Sequence, residues 1–186
     1  MAARSLAAGV LVLGCVLGAC TGKDPYQPGT QLGTFTVDAT VQTNDCGIDP
    51  GASPWVFTVK IGVEPGTLYW EQGSLPVAGK FSAAHVATLN STSTLAVPGA
   101  GLDAGAAACV MERDDALSAT FVPDPTLAGN YESFSGTLAY TFKEAAGSAD
   151  CSGQLSANGG QYAKLPCTMA FGISATRTAL PNQYGK

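Results

Sequence analysis

Apolar and polar residues alternate along most of this chain, which is the pattern of β-strands that bury one face. The clearest row is Trp55, Phe57, Val59, Ile61 and Val63. Four further rows have the same spacing: Phe35, Val37, Ala39 and Val41; Leu117, Ala119 and Phe121; Phe134, Leu138, Tyr140 and Phe142; Met169, Phe171 and Ile173. The alternation predicts an all-β domain in which these rows form the core.

The punctuation between the rows indicates antiparallel strands joined by turns. Glu64-Pro65-Gly66 reads as a turn, and residues 67–71 read as the returning strand of a hairpin. No segment shows a convincing amphipathic helix. We expect one domain over residues 34–180, followed by a short tail at 181–186. Its predicted fold is an antiparallel β-sandwich of about eight to ten strands, with a closed β-barrel as the alternative.

Four cysteines fall within this domain: Cys46, Cys109, Cys151 and Cys167. An even set of cysteines in an exported protein indicates two disulfides, and four cysteines allow three pairings. Residues 158–160, Asn-Gly-Gly, resemble a hairpin loop that would place Cys151 opposite Cys167. The sequence therefore favours Cys151–Cys167 and Cys46–Cys109.

The N-terminus has the layout of an export signal. Arg4 precedes an apolar segment from residue 6 to 17, and residues 17–20 read Leu-Gly-Ala-Cys. This motif resembles the lipobox of bacterial lipoproteins. The resemblance implies that residues 1–19 are removed and that Cys20 carries a diacylglycerol and an N-acyl chain. Three alternatives stay open: lipidation of Cys15, cleavage without lipid, and a transmembrane helix, for which the segment is short.

The resemblance also implies where the protein resides. Thr21 follows the cysteine where aspartate would resemble an inner-membrane retention signal, so we expect the outer membrane of a Gram-negative cell. Residues 20–33 are rich in proline and glycine, which predicts a lipid anchor and flexible tether spanning roughly 20 Å. Cys20 is left without a disulfide role once the four domain cysteines are paired.

Size and charge limit the partners. The chain has 186 residues, with 9 Lys and Arg against 14 Asp and Glu. A chain of this length can form one domain with a hydrophobic core. The sequence has no basic patch of the kind that binds nucleic acid. The mature domain resembles small lipoproteins of the bacterial envelope, and that resemblance implies no particular activity.

The sequence contains no recognised catalytic or metal-binding motif. His85 is the single histidine, and we interpret it as a surface or loop residue. No Gly-x-Ser-x-Gly elbow or His-Glu-x-x-His motif occurs. Two acidic groups could chelate calcium, but neither has the spacing of a calcium loop: Asp45 with Asp49, and Glu112 with Asp114 and Asp115. We therefore expect no enzyme, no metal and no cofactor beyond the lipid on Cys20.

Aromatic residues near the first hairpin point to a binding role instead. Trp55 belongs to an inward row, whereas Tyr69 must face opposite Leu68 and Trp70. Tyr69 is the candidate for ligand contact. The sequence thus predicts a membrane-anchored binding or structural module with an envelope protein or polysaccharide as partner. The alternative is a hydrolytic enzyme acting on envelope polysaccharide or peptide.

Overall fold

A computed structural model describes residues 25–97, 109–148 and 150–181. Within this part of the chain eight β-strands are present, which is the lower end of the predicted number. Their bounds are β1 Thr30–Asn44, β2 Trp55–Glu64, β3 Thr67–Glu71, β4 Val77–Phe81, β5 Val86–Val97, β6 Cys109–Pro123, β7 Tyr131–Glu144 and β8 Cys167–Ala179. The predicted signal segment 1–19, Cys20 and residues 182–186 lie outside the described residues.

The strands form a closed barrel, not the predicted sandwich. Each strand pairs antiparallel with the next, and β1 also pairs antiparallel with β8. Val37 of β1, for example, lies between Phe57 of β2 and Ala175 of β8. A sandwich needs two separate sheets, whereas this pairing leaves one sheet closed upon itself. The alternative stated from the sequence, a closed barrel, is the fold.

The alternating apolar rows fill the interior of the barrel, as predicted. Phe35 is fully buried, and the centroid of its ring lies 5.4 Å from that of Phe134 and 6.4 Å from that of Phe121. Burying one such ring adds about 1.5–3 kcal/mol to the free energy of unfolding. The inner rows of β1, β2, β6, β7 and β8 thus hold the core together, and the predicted turn after Glu64 joins β2 to β3.

The segment between β7 and β8 is a compact loop, not the predicted hairpin. It contains two single 3₁₀ turns, Ser152–Gln154 and Ser156–Asn158. Its backbone then folds back on itself, because the Tyr162 amide donates to the Gln154 carbonyl (3.0 Å) and the Ser156 amide to the Tyr162 carbonyl (2.7 Å). Cys151 and Cys167 therefore do not lie opposite each other on paired strands.

The disulfides accordingly join Cys46 to Cys167 and Cys109 to Cys151, so the pairing favoured from the sequence is wrong. Strand register explains the difference. Asn44 pairs with Met169, which brings the residues after β1 beside the start of β8. Met111 pairs with Glu144, which brings the start of β6 beside the loop that follows β7. The two disulfides fasten the loops at one end of the barrel.

Strand β1 begins at Thr30, four positions before the predicted start of the domain at Thr34. A bulge between Gln31 and Gly33 re-aims the strand there, and Gly33 has a φ of 121°, which a side chain would not tolerate. The Gln31 side-chain amide also donates to a Glu71 carboxylate oxygen at 2.8 Å.

Among residues 25–97, 109–148 and 150–181, no helix is long and apolar enough to cross a membrane.

Candidate ligand-binding pocket

A pocket of about 370 Å³ opens at the end of the barrel where β1 finishes and β6 begins. We call it the mouth pocket. Its lining comes from β2 to β7 and from the β3–β4 loop, including Gly73 and Leu75. This volume lies within the range of small-molecule sites, roughly 300–1,000 Å³.

The floor of the mouth pocket is apolar because strand register aligns three leucines. Leu89 of β5 pairs with Leu117 of β6, which pairs with Leu138 of β7. All three leucines are buried, and Trp70 of β3 is buried with them in the same core. Inward side chains repeat every second residue on a strand, so the leucines form one layer across the barrel.

The next layer toward the mouth is polar. Ser91 pairs with Asp115, and Asp115 pairs with Tyr140. Arg113 comes two residues before Asp115 in β6, on the same face of the strand. The pocket therefore changes from aliphatic to polar within one or two steps of the strand repeat.

Arg113 and Asp115 form a two-pronged ion pair at the rim. Arg113 Nε donates to Asp115 Oδ1 at 2.7 Å, and Nη2 donates to Oδ2 at 2.8 Å. The Arg113 side chain is 47% exposed and that of Asp115 24%. The hydrogen bonds that Arg113 donates to Asp115 raise the pKa of Arg113, so the guanidinium stays charged.

The Tyr140 ring forms the wall beneath this pair. The Arg113 guanidinium carbon lies 5.2 Å from the Tyr140 ring centroid, within the range of a cation–π contact. Burial, followed by the charge of Asp115, raises the pKa of Tyr140 to about 12. Its phenol is therefore neutral at physiological pH and able both to donate and to accept a hydrogen bond.

Both tryptophans of the chain line the mouth pocket. Trp55 was predicted to be a core residue; it is half-buried, because it stands at the first position of β2 at the open end. Its ring centroid lies 5.8 Å from that of Phe171. Trp70 donates its indole N–H to Gln72 Oε1 at 3.2 Å. The aromatic cluster is thus partly core and partly pocket wall.

Tyr69 lies on the outer face of the barrel, opposite the buried Leu68 and Trp70, as its position in the strand predicted. It is half-buried, and its hydroxyl donates to Glu64 Oε2 at 3.1 Å. Tyr69 is not among the described residues that line the mouth pocket. Its role as a ligand contact stays a prediction.

His85 lies at the opposite end of the barrel, in the turn between β4 and β5. It is held there by aromatic neighbours: its Nδ1 lies 2.8 Å from the Tyr131 hydroxyl, and its ring centroid lies 6.5 Å from that of Phe81. The loop position agrees with the sequence interpretation, but the side chain is half-buried. His85 and the mouth pocket are therefore separate.

The acidic residues considered as calcium ligands are bound to cations or amides of the chain itself. Glu112 and Asp114 both pair with Lys143 on the outer face (2.8 and 2.7 Å), whereas Asp115 points to the opposite face. Asp49 accepts a hydrogen bond from the Gly51 amide (2.9 Å). Asp45 pairs with Lys164 (2.8 Å), and the cysteine sulfurs near its carboxylate are joined in a disulfide.

Sequence reasoning missed Arg113, Tyr140 and the inward role of Asp115. An available signal was the spacing of Arg113, Asp115 and Leu117, which places two charged residues in an otherwise apolar row.

Comparison of the chain with protein-family models, curated proteins and solved structures finds no match.

Proposed function

We propose that this protein is a lipoprotein of the bacterial cell envelope and that it binds a small ligand in the mouth pocket. The observation that carries the binding role is the rim pair of Arg113 and Asp115 above an apolar floor. Concave sites with apolar walls and a few convergent polar groups are typical of ligand binding. The anchor rests on the lipobox resemblance at Leu17–Cys20.

The hydrolytic alternative has less support. Glycoside hydrolysis uses two carboxyl groups about 5 to 10 Å apart. Asp115 is the one carboxylate among the described lining residues, and Arg113 holds both of its oxygens. His85 lies at the other end of the barrel. These positions favour a binding module over acid–base chemistry in the pocket.

The anchor is tested by Cys20→Ala. We expect the wild-type protein in the membrane fraction with a mass that includes two or three acyl chains, because lipid on Cys20 retains it there. The variant should lose this added mass. Equal membrane retention of both proteins, with no lipid mass in either, would contradict the anchor.

Ligand binding is tested with N-phenyl-1-naphthylamine, a neutral apolar dye that brightens when it leaves water. This titration uses the Cys20→Ala chain produced from residue 20 onward, because that chain carries neither the acyl chains nor the apolar segment 6–17. Both tryptophans line the mouth pocket, so dye bound there should quench their emission by energy transfer. We expect saturable quenching at one dye per chain.

Leu117→Arg supplies the blocking variant, because a long cationic side chain from the floor would enter the pocket. Val122→Arg is the matched control, since Val122 is an exposed position further along the same strand. Quenching should disappear in the first variant and persist in the second. The circular dichroism spectrum of each variant shows whether it still folds. If Leu117→Arg does not fold, Ser91→Arg replaces it, because Ser91 lines the pocket at a half-buried position. Unchanged quenching in the folded blocking variant would place the dye outside the pocket.

A further inference from the structure

The mouth pocket contains two charges of opposite sign that cancel. Among its described lining residues only Arg113 and Asp115 are charged, and they face each other through two hydrogen bonds of 2.7 and 2.8 Å. A ligand that enters the pocket therefore meets a polar rim with no net charge. The remaining polar groups of the rim, Gln72 and Ser91, are neutral.

The rim pair retains hydrogen-bonding capacity on both sides. A guanidinium has five N–H donors, and Asp115 takes two of them in the bonds that the described residues show. A carboxylate has about four acceptor sites, and Arg113 occupies one on each oxygen. A single ligand group can therefore accept from Arg113 while it donates to Asp115.

Below the rim, the pocket offers flat and apolar surfaces. The rings of Trp55 and Tyr140 stand at the wall, and the leucine layer with Trp70 forms the floor. An aromatic or other planar body fits such walls by stacking and gains from leaving water. A polyhydroxylated ring would lose hydrogen bonds to water on reaching the leucines.

We propose, on the basis of the proposed function, that the mouth pocket selects neutral ligands with a planar apolar body and a head group that both donates and accepts hydrogen bonds, such as a carboxamide. The body lies between Trp55 and Tyr140, and the head group bridges Arg113 and Asp115. This names the chemical class of the ligand.

Charged versions of the same ligand bind less well for a physical reason. A carboxylate head that accepts from the remaining Arg113 donors would lie beside the carboxylate of Asp115, which repels it. An ammonium head that donates to Asp115 would lie beside the guanidinium of Arg113, which repels it in turn. Like charges placed side by side in a partly buried site are costly, whereas a neutral head meets no such repulsion.

The test uses three ligands of nearly the same shape: 2-naphthamide, 2-naphthoate and 2-naphthylmethylammonium. Their affinities for the Cys20→Ala chain are measured by isothermal titration calorimetry, with N-acetylglucosamine as a neutral polar ring. We expect the amide to bind about 10- to 100-fold more tightly than either ion, the factor that one or two hydrogen bonds to charged groups supply. N-acetylglucosamine should show no saturable binding.

Removing one charge of the pair should change the selectivity. Asp115→Asn leaves Arg113 without its counter-ion, so the affinity for 2-naphthoate should rise above that for 2-naphthamide. Arg113→Met should favour the ammonium ligand for the converse reason. Asp114→Asn is the matched control, because this neighbouring carboxylate pairs with Lys143 on the outer face, and the order of affinities should not change.

The outcomes separate this inference from the binding role itself. Equal or tighter binding of either ion to the wild-type pocket would overturn the ligand class, and so would saturable binding of N-acetylglucosamine in place of the amide; both results leave a ligand pocket in place. An order that stays the same in Asp115→Asn would overturn the bridging role of the pair. If no naphthyl ligand and no N-phenyl-1-naphthylamine binds, the ligand class and the proposed function both fail.

Discussion

The direction of a side chain across the barrel wall decides what each acidic residue of β6 does. Asp114 and Asp115 are neighbours in sequence, yet Asp114 accepts from Lys143 and from Thr92 on the outside while Asp115 binds Arg113 inside. The two neighbouring aspartates therefore lie on opposite faces of β6: Asp114 is on the outer face and Asp115 faces the mouth pocket. Composition alone cannot show this division, whereas strand alternation can.

At the opposite end of the barrel, Asp124 joins the β6–β7 loop to β8. It accepts hydrogen bonds from the Thr126 hydroxyl (2.7 Å) and amide (2.8 Å), and it forms an ion pair with Arg177. Arg177 in turn donates to the Tyr131 carbonyl at 2.8 Å. The bonds from Thr126, followed by that from Arg177, lower the pKa of Asp124 to about 2.

This lowered pKa predicts a pH-dependent contribution to stability. Because the folded pKa lies below the ordinary value of 3.8, the contribution is present above about pH 4 and is lost as the pH falls toward 2. Asp124→Asn should have a lower melting temperature than wild type at pH 6, and the gap should narrow between pH 4 and 2. Thermal melts across this range test it, and a gap that stays constant would contradict the ionic contribution.

Gly136 is required by the close approach of β7 to β6. A Cβ at this position would lie 2.0 Å from the Ser118 carbonyl oxygen, which is a backbone atom that cannot turn aside. We expect Gly136→Ala to lower the free energy of unfolding by about 1–3 kcal/mol, as overpacking does. Denaturant unfolding measures the loss.

Gly73→Ala is the matched control for this change. A Cβ there meets no atom within 4 Å, and the residue has no left-handed backbone conformation. Its effect should stay within about 0.5 kcal/mol. Equal free energies of unfolding for the two variants would show that the backbone of β7 can move away from β6.

At the scale of elements, the disulfides hold two loops against one end of the barrel. Cys46–Cys167 closes a separation of 121 residues and Cys109–Cys151 one of 42. A disulfide stabilises the folded state because it lowers the conformational entropy of the unfolded chain. By this effect the two disulfides raise the free energy of unfolding by about 5 and about 4 kcal/mol. Replacing both cysteines of either pair with serine should lower the free energy of unfolding by amounts of this order, measured by denaturant unfolding.

Peptide mapping tests the pairing directly. Trypsin cuts after Lys60, Arg113 and Lys164, among other sites, so each of the four cysteines falls in a different peptide. Without reductant, the peptide with Cys46 should be linked to that with Cys167, and the peptide with Cys109 to that with Cys151. A linked pair with Cys151 and Cys167 would contradict the register described above.

A feature can be predicted from the sequence when it depends on residues close together along the chain, and it is missed when it depends on residues far apart. The inward rows such as Phe35, Val37 and Ala39 were predicted correctly, because alternation is local. Closure depends on β1 meeting β8, and no local pattern distinguishes that pairing from two stacked sheets. The wrong disulfide pairing has the same cause. Residues 158–160, Asn-Gly-Gly, have the pattern of a hairpin loop, but in the structure Gly160 packs against Gln154 and the segment forms a compact loop.

The mouth pocket was missed for a related reason. Trp55, Arg113 and Tyr140 come from three strands far apart in sequence, and only the register of a closed barrel places them around one space. Taken singly, each residue has an ordinary interpretation: a core tryptophan, a surface arginine and a tyrosine in an apolar row. Their chemistry arises from being brought together.

For the whole molecule, the path of the chain before and along β1 has a consequence for orientation. This strand begins at Thr30, at the end of the barrel that holds His85 and Asp124, and it finishes at Asn44 beside the end that carries the mouth pocket. The segment before it runs back along the outer wall, because Tyr26 and Gln27 line a groove with Gln72 and Gly73, which also line the mouth pocket. In a protein anchored through Cys20, the tether would therefore leave the domain on the side of the pocket, and the ligand would reach the pocket close to the bilayer surface.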